Sequence, residues 1–338
     1  PCTLIDTAGF DDATELGEER LEKTRIAAEK TDIAIILLVD TDMDEELHWY
    51  EQFKEKKTPV IWVIGKADIR NDTEKINETL YQQTGQRAIV ISAATGDGMD
   101  QVRKELVRNL PEQYGASSIL RELVTKGDLV MLVMPQDIQA PKGRLILPQV
   151  QTLRELLDKK CLVMSVTTDQ YVEALSHLTE APKLIITDSQ VFAYVYEHKP
   201  KKSMLTSFSV LFAAHKGDIE YYIEGANAIG KLNGESHVLI AECCTHAPLK
   251  EDIGREKIPK MLRKRYGENM TIDIVSGTDF PDDLQGYDLV IQCGGCMFNR
   301  KYIMSRIDHA KEQQIPMTNY GVVIAYLTGI LDKVVIPD

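Results

Sequence analysis

The hydrophobic positions of this chain fall into short, nearly unbroken runs. Residues 33–39, 60–64 and 88–91 are apolar throughout, the pattern of parallel strands buried on both faces. Charged stretches of helical composition, such as residues 18–30, lie between them. After the break Pro111-Glu112-Gln113-Tyr114-Gly115 the series starts again. Strands are predicted at 129–133, 162–166 and 183–187, and helices at 150–159, 171–177 and 219–232, the last closed by Gly234. Residues 135–143, rich in Pro and Gly, read as a loop.

A third series follows, with strands predicted at 237–241, 271–275 and 289–292. Strands alternating with helices argue for doubly wound parallel sheets. The fold class is therefore α/β, in three α/β domains at residues 1–113, 114–235 and 236–338. The blocks share this alternation, but no internal repeat stands out.

Composition narrows the functional classes. The 338 residues carry 39 Lys and Arg against 52 Asp and Glu, a net charge of −13. So acidic a chain is a poor candidate for following a phosphate backbone, and no nucleic-acid partner is expected. No apolar run approaches the roughly 20 residues of a membrane span, and no signal peptide opens the chain, so a cytoplasmic location is expected. Six cysteines in 338 residues are too few for a disulfide scaffold, and their clustering suits a reducing compartment and a metal site. The chain opens on Pro1-Cys2-Thr3-Leu4-Ile5, which reads as the end of a strand with nothing before it. Further residues are expected upstream.

Asp6-Thr7-Ala8-Gly9 follows that apolar pair. An Asp at a strand end can orient the shell of a Mg²⁺ ion, and a Gly lets a bare N–H approach a phosphate. Taken alone, these four residues are equally a turn after a strand. Lys66-Ala67-Asp68 follows the second apolar run, and Ser92-Ala93-Ala94 the third. In order and context these resemble the base-recognition motifs of Ras-like GTPases, N-K-x-D and S-A-[KAL]. The resemblance implies a P-loop GTPase domain binding GTP with Mg²⁺. Asp6 and Gly9 would then face metal and γ-phosphate, Asp68 would select guanine, Lys66 would lie over the ring, and Ser92-Ala93 would present a backbone N–H to the base. Gly65 stands where the family has Asn. The phosphate loop G-x-x-x-x-G-K-[ST] does not occur in these residues, so the domain reads as N-terminally truncated and is not expected to turn over GTP alone.

The cysteines form the second constellation. Glu242-Cys243-Cys244-Thr245-His246 follows one predicted strand and Gln292-Cys293-Gly294-Gly295-Cys296 another. Ligand sites in open α/β sheets gather at the carboxyl ends of strands. Two metal readings fit the spacing: a Cys₃His zinc site of Cys244, His246, Cys293 and Cys296, or a 4Fe–4S cluster on the three cysteines with an incomplete protein shell. Inert buried cysteine is the bland alternative.

Cys244-Thr245-His246-Ala247-Pro248-Leu249, Glu251-Asp252-Ile253-Gly254-Arg255 and Cys293-Gly294-Gly295-Cys296 resemble the cluster segment of HydF, the family of GTPases that mature iron–iron hydrogenases. Ile315-Pro316-Met317-Thr318-Asn319-Tyr320-Gly321 and Ala140-Pro141-Lys142-Gly143-Arg144 match as well, while Gln292 replaces the family's usual second His. The resemblance implies GTPase, dimerisation and iron–sulfur cluster domains in that order. It also implies a homodimer, with tetramers as an open option, and a di-iron precursor passed from radical-SAM maturases to apo iron–iron hydrogenase. Activation by K⁺ is a further option. Cys244, Cys293 and Cys296 would hold the cluster, with a labile fourth ligand. His246 leads the candidates for that position, ahead of Glu242, Glu251, Asp252 and Gln292. The rival is a zinc-stabilised GTPase acting in RNA modification or ribosome assembly.

Overall fold

The computed structural model describes residues 3–7, 15–110, 118–135, 145–243, 253–295 and 298–337. The chain divides into two compact units, Pro1–Ala116 and Ser117–Asp338.

The first unit runs α1 (Glu15–Lys30), β1 (Ala34–Leu38), α2 (Asp44–Glu55), β2 (Val60–Ile64), α3 (Thr73–Thr84), β3 (Ile89–Val90) and α4 (Met99–Arg108). Its strands form a parallel sheet in the order β1-β2-β3. Strand β2 is central and apolar on both faces, so it is sealed from both sides. Trp62 and Ile64 pack with Ile36, Leu38, Trp49, Ile76 and Leu80, while Ile61 and Val63 meet Val102 of α4. Edge strand β1 alternates buried and exposed positions, and Ile35 and Leu37 are 44% and 54% exposed. The expected strand at the opening is a difference. Thr3–Thr7 form no strand, and Leu4 is 83% exposed; among the described residues nothing pairs with this segment, and a strand without a ladder is not stable.

The second unit holds two sheets. The first comes from β4 (Leu129–Val133), α5 (Leu147–Asp158), β5 (Leu162–Val166), α6 (Tyr171–Ser176), β6 (Leu184–Thr187), α7 (Phe192–His198), β7 (Met204–Ser207) and α8 (Phe208–Lys216). The second comes from α9 (Ile219–Ala228), β8 (His237–Ala241), α10 (Ile258–Tyr266), β9 (Thr271–Val275), β10 (Leu289–Gln292), α11 (Arg300–Glu312), β11 (Met317–Asn319) and α12 (Tyr320–Leu327). The strand orders are β5-β4-β6-β7 and β9-β8-β10-β11, parallel throughout.

Both sheets therefore place their strands in the order second, first, third, fourth. Their burial patterns repeat too. Strands β4 and β8 are buried after their first residue, β5 and β9 are exposed at their first and fourth positions, and β6 and β10 are wholly buried. The expectation of no internal repeat is thus overturned. Its trace in the sequence is confined to one stretch, where Thr206-Ser207-Phe208-Ser209-Val210 runs parallel to Thr318-Asn319-Tyr320-Gly321-Val322. In both halves this is the last strand passing directly into a helix.

Helix α9 packs on the second of these sheets, although the sequence pattern groups it with the block before. The Tyr221 hydroxyl donates to the Ile315 carbonyl at 2.7 Å, and Tyr222, Ala226 and Ile229 join the core of β8 and β10. A Cβ at Gly225 would come within 2.0 Å of the Met317 carbonyl oxygen, so glycine there permits the close approach. The helix ends at Ala228 and passes through a 3-10 turn, Ile229–Lys231, well before Gly234.

The two halves meet along α8 and α12. A Cβ at Gly321 would lie 2.4 Å from the Ser209 Oγ, so glycine there leaves room for the Ser209 side chain between these helix starts. Edge strand β7 is covered by the chain's own end, with the Val335 N–H donating to the Leu205 carbonyl at 2.8 Å. Strand β4 is interior, paired on both sides. The edge is β5, where Leu162 is 62% exposed.

Candidate functional sites

In the first unit, β2 and β3 end side by side. Gly65, Lys66 and Asp68 follow β2, and Ser92 and Ala93 follow β3. The Ser92 hydroxyl, on a residue only 1% exposed, donates to Asp68 Oδ1 at 2.7 Å. The Ala67 N–H donates to the Ile91 carbonyl at 3.0 Å. One carboxylate oxygen of Asp68 is thereby oriented from below, leaving the exposed side chain free to accept or pair outward. Lys66 sits at φ 59°, a left-handed conformation that bends the loop at that residue. Asp6 lies in the exposed irregular segment at the start, and the described contacts do not bring it to Asp68 or Ser92. Gly9 lies outside the described residues.

In the second unit the cysteine constellation falls at the ends of β8 and β10. These are the first and third strands of their half. The chain leaves them toward opposite sides of the sheet, and such a switch point opens a crevice where ligands bind. Cys293 is half-buried there, and its Sγ accepts the Cys243 N–H at 3.0 Å. A sulfur that accepts a backbone N–H is held as a thiolate would be. Cys244, His246, Glu251, Asp252 and Cys296 lie outside the described residues.

Gly295 adopts φ +59°, and a Cβ on it would lie 2.4 Å from Ile303 Cδ1. The turn thus needs glycine between the two cysteines of the C-x-x-C. The loop is gripped from the other half, where the Lys216 ammonium donates to the carbonyls of Gly295 and Phe298 at 2.9 and 3.0 Å.

Of the side chains considered as cluster ligands, Glu242 is already engaged, and Gln292 is engaged through its nitrogen alone, its buried Oε1 having no partner among the described residues. Glu242 Oε2 accepts from Arg255 Nε and Nη2 at 3.0 and 2.8 Å and from Ser276 Oγ at 3.2 Å. Gln292 is fully buried, and its Nε2 donates to the Tyr222 hydroxyl at 3.3 Å. Burial pushes that hydroxyl far above its ordinary pKa, so Tyr222 stays neutral and can donate.

Sequence reasoning missed Arg306. It is 2% exposed, and its Nη1 donates to Cys243 Sγ at 3.4 Å. The signal was available: Tyr302, Ile303, Arg306, Ile307 and Ala310 form the buried face of α11, and a charge on an apolar helical stripe is out of place unless something needs it. Cys161, by contrast, is an isolated buried thiol bonded to the Thr125 carbonyl at 3.4 Å, with its pKa raised by burial. Among the described residues no three His, Cys, Asp or Glu side chains gather as a metal site, and no helix is long and apolar enough to cross a membrane.

The first comparison with known proteins is with curated GTPases. GTPase Era of Alkaliphilus metalliredigens is 33% identical over 129 residues, covering 35% of this chain and 43% of that protein. The tRNA modification GTPase MnmE of Thermotoga maritima is 33% identical over 132 residues, covering 36% and 28%. GTPase Der of Campylobacter hominis is 29% identical over 118 residues, covering 34% and 25%. The chain spans less than half the length of each of these relatives.

The second comparison is with family models. The model of the hydrogen maturase F dimerization domain matches residues 119–217, and that of the hydrogen maturase F tetramerization domain matches residues 220–337. The boundary between them separates the two sheets of the second unit and places α9 with the second, as the packing does. The matches together take in well over half of the chain and include the strand ends that carry Cys243 and Cys293. The chain belongs to the hydrogen maturase F family.

Proposed function

We propose that this chain is part of a GTP-binding scaffold that assembles the di-iron subcluster precursor or transfers it to apo iron–iron hydrogenase. The precursor would come from the radical-SAM maturases of the same pathway. In this reading residues 1–113 are the nucleotide domain, and the boundary expected at 235 moves to the gap between 217 and 220, so that the dimerisation domain ends before α9 and the cluster domain includes it. Cys244, Cys293 and Cys296 would hold a 4Fe–4S cluster, which when bound supplies one iron with an exchangeable position. The observation that carries the reading is the Cys293 sulfur at the end of β10, which accepts the Cys243 N–H at the end of β8. With Glu242 engaged elsewhere, His246 leads the fourth-ligand candidates, ahead of Glu251, Asp252 and Gln292, whose buried Oε1 has no partner among the described residues. A weak ligand there can leave without releasing the cluster.

In the first unit Asp68, oriented by Ser92, would accept the guanine N–H groups, Lys66 would cover the ring, and Ala93 would donate its N–H. Asp6 and Gly9 would serve Mg²⁺ and the γ-phosphate once a phosphate-loop strand lies beside β1, whose exposed Ile35 and Leu37 suit such a neighbour. K⁺ would assist. Hydrolysis would act by positioning and charge stabilisation, as a switch on partner release. Self-association would run through the dimerisation domain. The names of some curated relatives point to tRNA work for those proteins, but the family match covers the cysteine region here and favours the scaffold over a zinc-stabilised RNA enzyme.

Anaerobic reconstitution with iron and sulfide tests the cluster set. Cys244→Ser, Cys293→Ser and Cys296→Ser should each lose most of the bound iron, and Cys161→Ser should keep it. Full iron loading in Cys293→Ser would sink the assignment.

A further inference from the structure

Arg306 carries a full positive charge into the core of the cysteine half. Its guanidinium does not lose its proton in proteins. Nη2 donates to the Gly277 carbonyl at 2.6 Å and to the Tyr302 hydroxyl at 3.3 Å, and Nη1 reaches Cys243 Sγ at 3.4 Å. The rings of Phe280 and Tyr302 flank it, each centroid 4.8 Å away. No carboxylate among the described residues pairs with it, and its Nε has no partner. Every partner it has among the described residues is neutral or a thiol.

A buried cation held only by dipoles and ring faces is costly to keep. Proteins retain such charges beside an anion. One sulfur links Arg306 to the crevice, since the Cys243 that it contacts gives its own N–H to Cys293 Sγ. Three thiolates on a cluster core of two positive charges leave a net negative charge, and each electron added increases it. The charge and burial near a cluster are among the levers that set its potential.

We infer that Arg306 is the buried counter-charge of the cluster site: a positioning residue that braces Cys243 beneath Cys293 and favours the reduced cluster by its charge. This rests on the cluster reading above. It places the redox set-point of the site in α11, outside the cysteine loops.

The test is a dithionite titration of the anaerobically reconstituted protein, following the reduced cluster by EPR. Arg306→Met should be reduced about tenfold less readily at a given poise, equivalent to about 59 mV for one electron. Arg306→Lys keeps the charge and should stay within about threefold of wild type. A merely structural role would move Lys and Met alike, because neither restores the guanidinium fork. An unshifted Met variant, or a Lys variant shifted as far as Met, overturns the inference. Should the Met variant fail to fold, the Lys variant decides, and a tenfold shift there overturns it. Wild type that holds no iron overturns the cluster reading as well, whereas wild type with a cluster and an unmoved Met variant overturns this inference alone.

Discussion

The two halves of the second unit share one architecture and differ at the same place. Register sets Thr187 of β6 opposite Val133, and Gln292 of β10 opposite Ala241. Asp188 therefore stands where Cys293 stands. In the first half the strand end closes on itself. Asp188 accepts the Gln190 N–H at 3.0 Å, and Ser207 and Ser209 bond to each other at 3.0 Å. In the second half the strand end carries a sulfur that receives an N–H and, below it, a cation that pairs with no carboxylate among the described residues. The layers supply a crevice in both cases, and the loops decide whether it has chemistry. The edges differ as well. Leu162 of β5, 62% exposed, corresponds to polar Thr271 of β9, whereas Ile274 of β9, 37% exposed, corresponds to polar Ser165 of β5, so the more exposed apolar residue lies on the edge of the first half.

The largest effect should be common to both halves. Leu132 and Ile240 occupy equivalent central positions, both fully buried. Leu132→Ala and Ile240→Ala should each lower stability by about 2–5 kcal/mol in urea unfolding. A loss below 1 kcal/mol at either position would break the claim of equivalent cores. Association should separate the halves. An arginine for Leu162 puts a charge on the open edge and should shift the protein toward monomer in light scattering, while Thr271→Arg should leave the oligomer unchanged. The reverse ranking would assign the dimer contact to β9.

A smaller contrast lies at the strand ends. Asp188→Ala removes the cap on the turn Ser189–Val191 and should cost about 1 kcal/mol with no change in bound iron. Loss of iron in that variant would mean that the crevices are not independent. The smallest effect concerns acid. Asp273 accepts from His237 Nε2 at 2.8 Å and from the Tyr287 hydroxyl at 3.0 Å, which together hold its carboxyl below the ordinary 3.8. A lowered folded-state pKa contributes stability above the ordinary value, and that stability is lost as pH falls through the lowered one. Met164 stands at the equivalent position of β5. Asp273→Asn should therefore flatten the acid limb of the melting profile below the ordinary pKa, slightly because the pair is half exposed. An unchanged limb would remove this difference between the halves.

Most strands legible in the sequence had three or more consecutive apolar residues, such as 129–133 and 289–291. Strands β7 and β11 escaped because Thr206-Ser207 and Thr318-Asn319 are polar, although all four residues are buried. Their side chains cap or underlie the helices that follow, a role read only once the strand-to-helix passage is seen. The cysteines were legible as a constellation, because a C-x-x-C directly after a strand sets two thiols close enough to share one metal. The charge beneath them was legible only as an arginine on the apolar stripe of α11, and nothing in the sequence ties that helix to the cysteines. The pairing of Asp68 with Ser92 joins two motifs 24 residues apart, and only their adjacent parallel strands bring the two side chains together.

In the proposed function the ends of β8 and β10 hold iron and sulfide on cysteine thiolates. Protein prepared anaerobically with iron and sulfide, freed of unbound metal, then assayed for iron, zinc and acid-labile sulfide and reduced for EPR, tests it directly. Iron and sulfide in equal amounts, with a reduced-cluster EPR signal and no zinc, is the predicted result. A colourless protein carrying zinc and no sulfide would contradict it.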